Sequence, residues 1–239
     1  MVRKQRIKPM LMASVLTGLA GVVLYYLINS RTFQFYGGII PRVETDRKVV
    51  ALTFDDGPTQ FTDELIALLE DQQIKATFFL VGQAMKQHPQ YTRRLSQAGH
   101  ELGNHTFSHH RMIFKPYAAM AEEIEKTDNL IRQVTHQNQI LFRPPFCKKL
   151  IGLPRYLHQH HRLTITWDVE PDSRADLRKS ATRLAAYTIE HTRPGSIILL
   201  HSMNPTEWSS RQALKELITG LKAKGYSFVT VSQLLQYSR

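Results

Sequence analysis

Two adjacent carboxylates, Asp55 and Asp56, stand where the apolar, β-branched run 49–54 breaks into Asp-Asp-Gly-Pro. Side chains alternate along a strand, but at its broken end both acids can turn into one cleft. Two carboxylates that close repel when both are ionised, so a metal ion, a shared proton or a nearby cation usually reconciles them. The plainer reading is an Asp-Gly turn that starts the next helix.

Four further stretches carry chemistry. His105-Thr106-Phe107-Ser108-His109 places two imidazoles four residues apart, which one helical turn would put on one face. With Asp56 they form a His-His-carboxylate set that leaves a position open for water, as hydrolytic zinc sites require. In a chain with 11 histidines, a solvated or capping pair is the competing explanation. In Arg143-Pro144-Pro145-Phe146 neither proline has an amide hydrogen, so Phe146 supplies the first N–H after Arg143, on a stiff backbone suited to aiming a donor. A proline turn with Arg143 in a surface ion pair is the alternative. His201 ends the apolar run 197–200 and is either a general-acid candidate or a core histidine. The acids Asp168, Glu170 and Asp172 close another apolar run.

Placing these groups together requires a particular architecture. Short β-rich runs at 49–54, 76–81, 100–103, 140–142, 163–169, 196–200 and 227–231 alternate with helical spacing at 62–71, 89–97, 117–136, 154–161, 176–191 and 210–224. The expected class is α/β, a (β/α) barrel of about seven strands, with an open doubly wound sheet as runner-up. In either, the ends of parallel strands share one rim, and every candidate group above follows a strand.

The length of 239 residues and 42% hydrophobic content suit one buried domain. Residues 1–30 have a basic head, Arg3, Lys4, Arg6 and Lys8, before an apolar run from 9 to 28, about the roughly 20 residues that cross a bilayer. Its bulky end, Tyr25-Tyr26-Leu27-Ile28, favours an uncleaved signal anchor over a cleaved leader, in which case the protein would be secreted. The basic head then lies inside, and the rest of the chain faces away from the cytoplasm. Residues 31–46 read as a tether and 47–239 as the catalytic domain. The net charge of +11 falls to +6 once the four head residues and Arg31 are set aside, and no nucleic-acid motif or protein-partner motif is evident. The single cysteine, Cys147, permits no internal disulfide and reads as a packing residue.

Thr53-Phe54-Asp55-Asp56-Gly57-Pro58, the His105–His109 stretch, Arg143-Pro144-Pro145-Phe146 and Leu199-Leu200-His201 together resemble four of the five motifs of the polysaccharide deacetylases, the NodB-like carbohydrate esterases of family 4. They span essentially everything after the apolar segment. The resemblance implies a distorted (β/α) barrel and metal-dependent removal of acetyl groups from amino-sugar polymers such as peptidoglycan, poly-N-acetylglucosamine or chitin-like chains. It assigns Asp56, His105 and His109 to a divalent metal, zinc in the first place, with cobalt, nickel or manganese as alternatives. It also assigns Asp55 to the general base, Arg143 to orienting Asp55, the Phe146 N–H to the oxyanion and His201 to the general acid. Arg143, Phe146, Trp167 and Leu199 are expected to contact substrate. The fifth motif departs from the family, because Trp167-Asp168-Val169-Glu170-Pro171-Asp172 lacks the closing Asp-Trp. Asp172 is the expected partner of His201, with Asp168 and Glu170 as alternatives. A non-catalytic glycan binder on the same fold, or a hydrolase of another amide or ester, is the competing function.

Overall fold

The computed structural model describes residues 7–137 and 139–239. Arg3, Lys4 and Arg6 of the basic head lie outside the described residues, as does the Lys8 side chain. Helix α1 (Ile7–Asn29) is long and apolar enough to cross a membrane by length and composition, and none of its window Met12–Asn29 is buried.

Strand β2 (Val49–Asp55) is central, and all seven of its residues are buried. A parallel strand covered on both faces needs such an unbroken apolar run rather than an alternating one. It pairs in parallel with β3 (Thr77–Leu80), β6 (Ile197–Leu200) and β7 (Ser227–Phe228), while β3 pairs with β4 (Glu101–Asn104). Helices α2 (Thr62–Asp71), α3 (Gly82–Gln87), α4 (Pro89–Gln97), α5 (Tyr117–Arg132), α6 (Gly152–Gln159), α7 (Ala181–His191), α8 (Trp208–Ala223) and α9 (Val231–Leu235) complete the chain. The main core joins Phe54, Phe78 and Leu80 of the sheet to Leu65 and Leu69 of α2 and to Leu214, Leu217 and Leu221 of α8.

A second, two-stranded parallel sheet pairs β1 (Ile39–Ile40) with β5 (Thr164–Ile165). Single bridges connect Asn104 to Phe142, Phe142 to Thr164, and Val169 to Ile198. The expected strand 140–142 therefore shrinks to one bridging residue, because Pro144 and Pro145 offer no ladder donors beyond it. The expected strand 163–169 shortens to two residues for a different reason: Asp168 N and Val169 N donate to Ile197 O at the opposite edge.

Residues 31–46, expected as a tether, are held to the body at several points. Val43 is 3% exposed and donates its N–H to Gly195 O at 3.0 Å, and Thr166 N donates to Ile40 O at 2.9 Å. The pairing partners lie more than 100 residues away, so no local periodicity announces this packing.

Candidate active site

The end of β2 delivers Asp55, which is 2% exposed. Arg143, fully buried, donates from Nη1 to Asp55 Oδ1 at 2.7 Å and to Thr53 Oγ1 at 2.9 Å. Its Nη2 donates to Thr166 O at 3.1 Å, and its guanidinium lies between the rings of Phe79 and Trp167, 4.0 and 5.4 Å from their centroids. A buried guanidinium needs this many partners to offset its lost hydration. Burial pushes the Asp55 carboxyl up, but the charge and hydrogen bond of Arg143, aided by His201, outweigh it, so its pKa falls below the usual carboxylate value and Asp55 stays ionised. Asp56 follows at φ 79°, then Gly57, where a Cβ would fall 2.0 Å from the sulfur of the buried Met203. Glycine is what lets the Met203 side chain pack against the backbone there.

His105 and His109 do converge, though not on a helix. The segment after β4 is irregular, with Thr106 at φ 67° and His109 at φ 56°. Residues other than glycine occupy this region at a cost that surrounding contacts must cover. Asn104 supplies some of them, accepting from Thr106 N at 2.8 Å while its amide donates to Asp128 and Ile124 O. Glu123 of α5 accepts from Phe107 N and Ser108 N at 3.1 and 2.8 Å. Sequence reasoning passed over Asn104 and Glu123, which act on backbone rather than on chemistry.

His105 Nδ1 faces Arg143 O at 2.8 Å, and a carbonyl only accepts, so the proton sits on Nδ1 and Nε2 is free to ligate. His109 Nε2 lies 3.2 Å from His105 Nε2 and 3.2 Å from Asp56 Oδ1, with His105 Nε2 3.8 Å from the same oxygen. Ligands about 2.0–2.1 Å from a tetrahedral zinc stand roughly 3.3 Å apart, so the three donors fit one divalent cation. Burial, with the neighbouring His105, pulls the His109 pKa down to about 4, so its imidazole is neutral and available as a ligand. Asp56, His105 and His109 are the donors that would hold the metal.

Across the same cavity, of about 370 Å³, stands His201. Its Nδ1 lies 3.1 Å from Asp172 Oδ1, and the His201 backbone N–H donates to Asp172 Oδ2 at 2.6 Å. Ser210 of α8 donates to the same carboxylate at 3.1 Å, a support with no motif to reveal it in the sequence. Asp172 is thus the acid beside His201. Asp168 instead accepts from Ser196 Oγ and Ile197 N, bracing the start of β6, while Glu170 accepts from Trp167 Nε1 at 2.9 Å in the cavity wall. Burial alone would lower the His201 pKa, but the hydrogen bond and charge of Asp172, aided by Asp55 and Asp56, raise it to about 10.

Phe146 has φ 56° on a single 3-10 turn, Pro145–Cys147, and its N–H has no acceptor among the described residues. Its half-exposed ring packs 4.7 Å from the His109 ring. Of the expected substrate contacts, Trp167 lines the cavity and Leu199 does not. Leu199 is fully buried, paired in register with Thr53 and packed with Val43 and Trp167, because its place in β6 turns it into the core. Cys147 is buried, and burial raises its thiol pKa, which suits packing rather than nucleophilic attack.

The family model described as polysaccharide deacetylase matches residues 42–160. A peptidoglycan-N-acetylglucosamine deacetylase from Bacillus cereus is 31% identical over 192 residues, 80% of this chain and 69% of the relative. Among solved structures, the carbohydrate-esterase domain of a multidomain xylanase from the hindgut metagenome of Trinervitermes trinervoides superposes with a TM-score of 0.72 at 32% identity, covering 79% of this chain and 90% of that one. A family 4 pseudoenzyme from Bacillus anthracis superposes with a TM-score of 0.74 at 26% identity, covering 87% and 70%. Motifs, fold and relatives agree: the chain belongs to the polysaccharide deacetylase family and is a hydrolase of carbon–nitrogen amide bonds.

Proposed function

We propose that the protein is a metal-dependent N-deacetylase of amino-sugar polymers at the cell surface, with peptidoglycan ahead of poly-N-acetylglucosamine or chitin-like chains. The observation that carries this reading is the arrangement in one cavity of an ionised carboxylate, a three-donor metal cluster and a carboxylate-backed imidazole. The peptidoglycan-N-acetylglucosamine deacetylase among the relatives supports the substrate class. Residues 1–30 serve as the anchor, single-pass with the N-terminus inside, and 47–239 as the extracytoplasmic catalytic part. The bridges at Phe142, Thr164 and Val169 support a distorted barrel.

Two imidazoles and a carboxylate suit zinc first among the divalent ions. A cation held there supplies Lewis-acid polarisation of the acetyl carbonyl and of water. Asp55, fixed by Arg143, takes a proton from the attacking water. The Phe146 N–H donates to the carbonyl oxygen as negative charge gathers on it. The carbon–nitrogen bond breaks as His201 gives its proton to the departing amine, leaving acetate and a free amino sugar. Trp167 and Phe146 shape the substrate side, whereas Arg143, expected there too, is fully buried behind Asp55 and reaches the cavity only through it. The likeness to a pseudoenzyme keeps a glycan-binding role as the second reading; the gathering of Asp55, Asp56, His105, His109 and His201 around one cavity favours the first. Comparing acetate release from peptidoglycan and from N-acetylated chito-oligosaccharide tests the substrate class. Faster release from peptidoglycan is expected, and release from neither would overturn the proposal.

The His201–Asp172 pair has a pH signature. A folded pKa near 10, above an ordinary value of about 6.5, means that protonated His201 adds stability in full below pH 6.5 and loses it as pH rises toward 10. The acid form also persists through neutrality. In Asp172→Asn the alkaline limb of the kcat profile is expected to move down by about 1–3 pH units. An unmoved limb would remove His201 from the general-acid role.

A further inference from the structure

The cavity that holds the catalytic groups has a wall from outside the expected domain, since Asn29 and Arg31, at the end of α1 and just beyond, line it with Asp55 and His201. This junction is bonded into the body rather than laid against it. Lys149, 1% exposed, donates its ammonium to Ser30 O and lies 3.9 Å from Cys147 Sγ, and Lys148 donates to Asn29 Oδ1. Lys149 N donates to Ile28 O at 3.3 Å. Without Ser30 the buried ammonium would keep, among the described residues, only a thiol beside it.

Arg31 makes the junction part of the site. Its Nη2 donates to Glu170 Oε2 at 2.6 Å, the oxygen that also accepts from Trp167 Nε1, and its guanidinium lies 4.8 Å from the centroid of the Trp167 ring. Arg31 O accepts from Thr166 Oγ1 at 2.7 Å, and Thr166 O in turn accepts from the Arg143 guanidinium that holds Asp55. Three hydrogen bonds in succession connect Arg31, two residues beyond the apolar helix, to the candidate base.

We propose that Arg31 is a positioning residue of the deacetylation pocket, fixing the Trp167–Glu170 wall against which the sugar binds, so that the pocket is complete only in a chain that retains the junction just after its N-terminal helix. This rests on the deacetylase reading above. Arg31 touches no reacting atom, so its loss falls on binding. A planar guanidinium both stacks on an indole and bonds a carboxylate, whereas an ammonium keeps only the second contact.

The test uses the full chain in detergent, loaded with zinc, carrying Trp208→Phe so that Trp167 is the sole tryptophan. N-acetylated chito-oligosaccharide is the probe. Arg31→Ala is expected to raise KM about tenfold with kcat within about twofold and zinc content unchanged, and to weaken the saturable quenching of Trp167 by the same factor. Arg31→Lys is expected to fall between. An unchanged KM and quenching constant in Arg31→Ala would overturn the proposal, as would a matched loss of kcat, zinc and thermal stability, which marks a merely structural contact. If the parent chain releases no acetate yet quenches, the deacetylase reading fails while the quenching ratio still judges Arg31. If it neither releases acetate nor quenches, both fail.

Discussion

Asp55→Asn is expected to lower kcat for acetate release by roughly 10²–10⁴-fold, the usual worth of a positioned general base. The substitution keeps the size of the side chain and an oxygen able to accept from Arg143 Nη1, now at 2.7 Å from Asp55 Oδ1. Asp56, His105 and His109 remain, so zinc content should match that of the parent. The folded, metal-loaded protein would bind glycan and fail to turn it over. Activity within tenfold of the parent would show that another group takes the proton, and Asp55 would become a residue that only balances Arg143.

The largest stability effect should come from Arg143→Leu. Arg143 is fully buried and Asp55 nearly so, and removing one member of a buried pair leaves the other as an uncompensated charge. Such losses run to about 3–5 kcal/mol, or a fall in Tm of about 6–20 °C in a chain of this size. The double variant with Asp55→Asn should recover part of the loss, because the stranded carboxylate is gone. A single variant melting within about 2 °C of the parent would mean that water reaches Asp55 and that the guanidinium is not its main support. In Arg143→Leu activity is expected to fall as it does in Asp55→Asn, since an Asp55 that takes up a proton to relieve its burial cannot accept one from water.

How legible these features are in the sequence follows the range of the contacts behind them. The run 49–54 ending in two acids is local, and so is the stiff Arg-Pro-Pro-Phe segment; the acids that end the first and Phe146 of the second line the cavity. The histidine pair was legible as a pair but not as a shape, because spacing by four suggests a helix while the loop is set by Asn104 and Glu123 from other elements. Leu199 misled for a related reason: a motif names a stretch of chain, but the pleat decides which neighbour faces the cavity. The choice among Asp168, Glu170 and Asp172 depends on which backbone amides and side chains each carboxylate meets across the fold. Arg31 lies 139 residues from Glu170, so no spacing could have joined them.

The central claim is tested most directly by acetate release from N-acetylated chito-oligosaccharide and peptidoglycan, using the full chain first stripped by chelator and then reloaded with zinc. The account predicts no release from the stripped protein, release on reloading, and none above background from reloaded Asp55→Asn. A folded, zinc-loaded protein that binds either polymer without freeing acetate would contradict it and identify a glycan-binding member of the family instead.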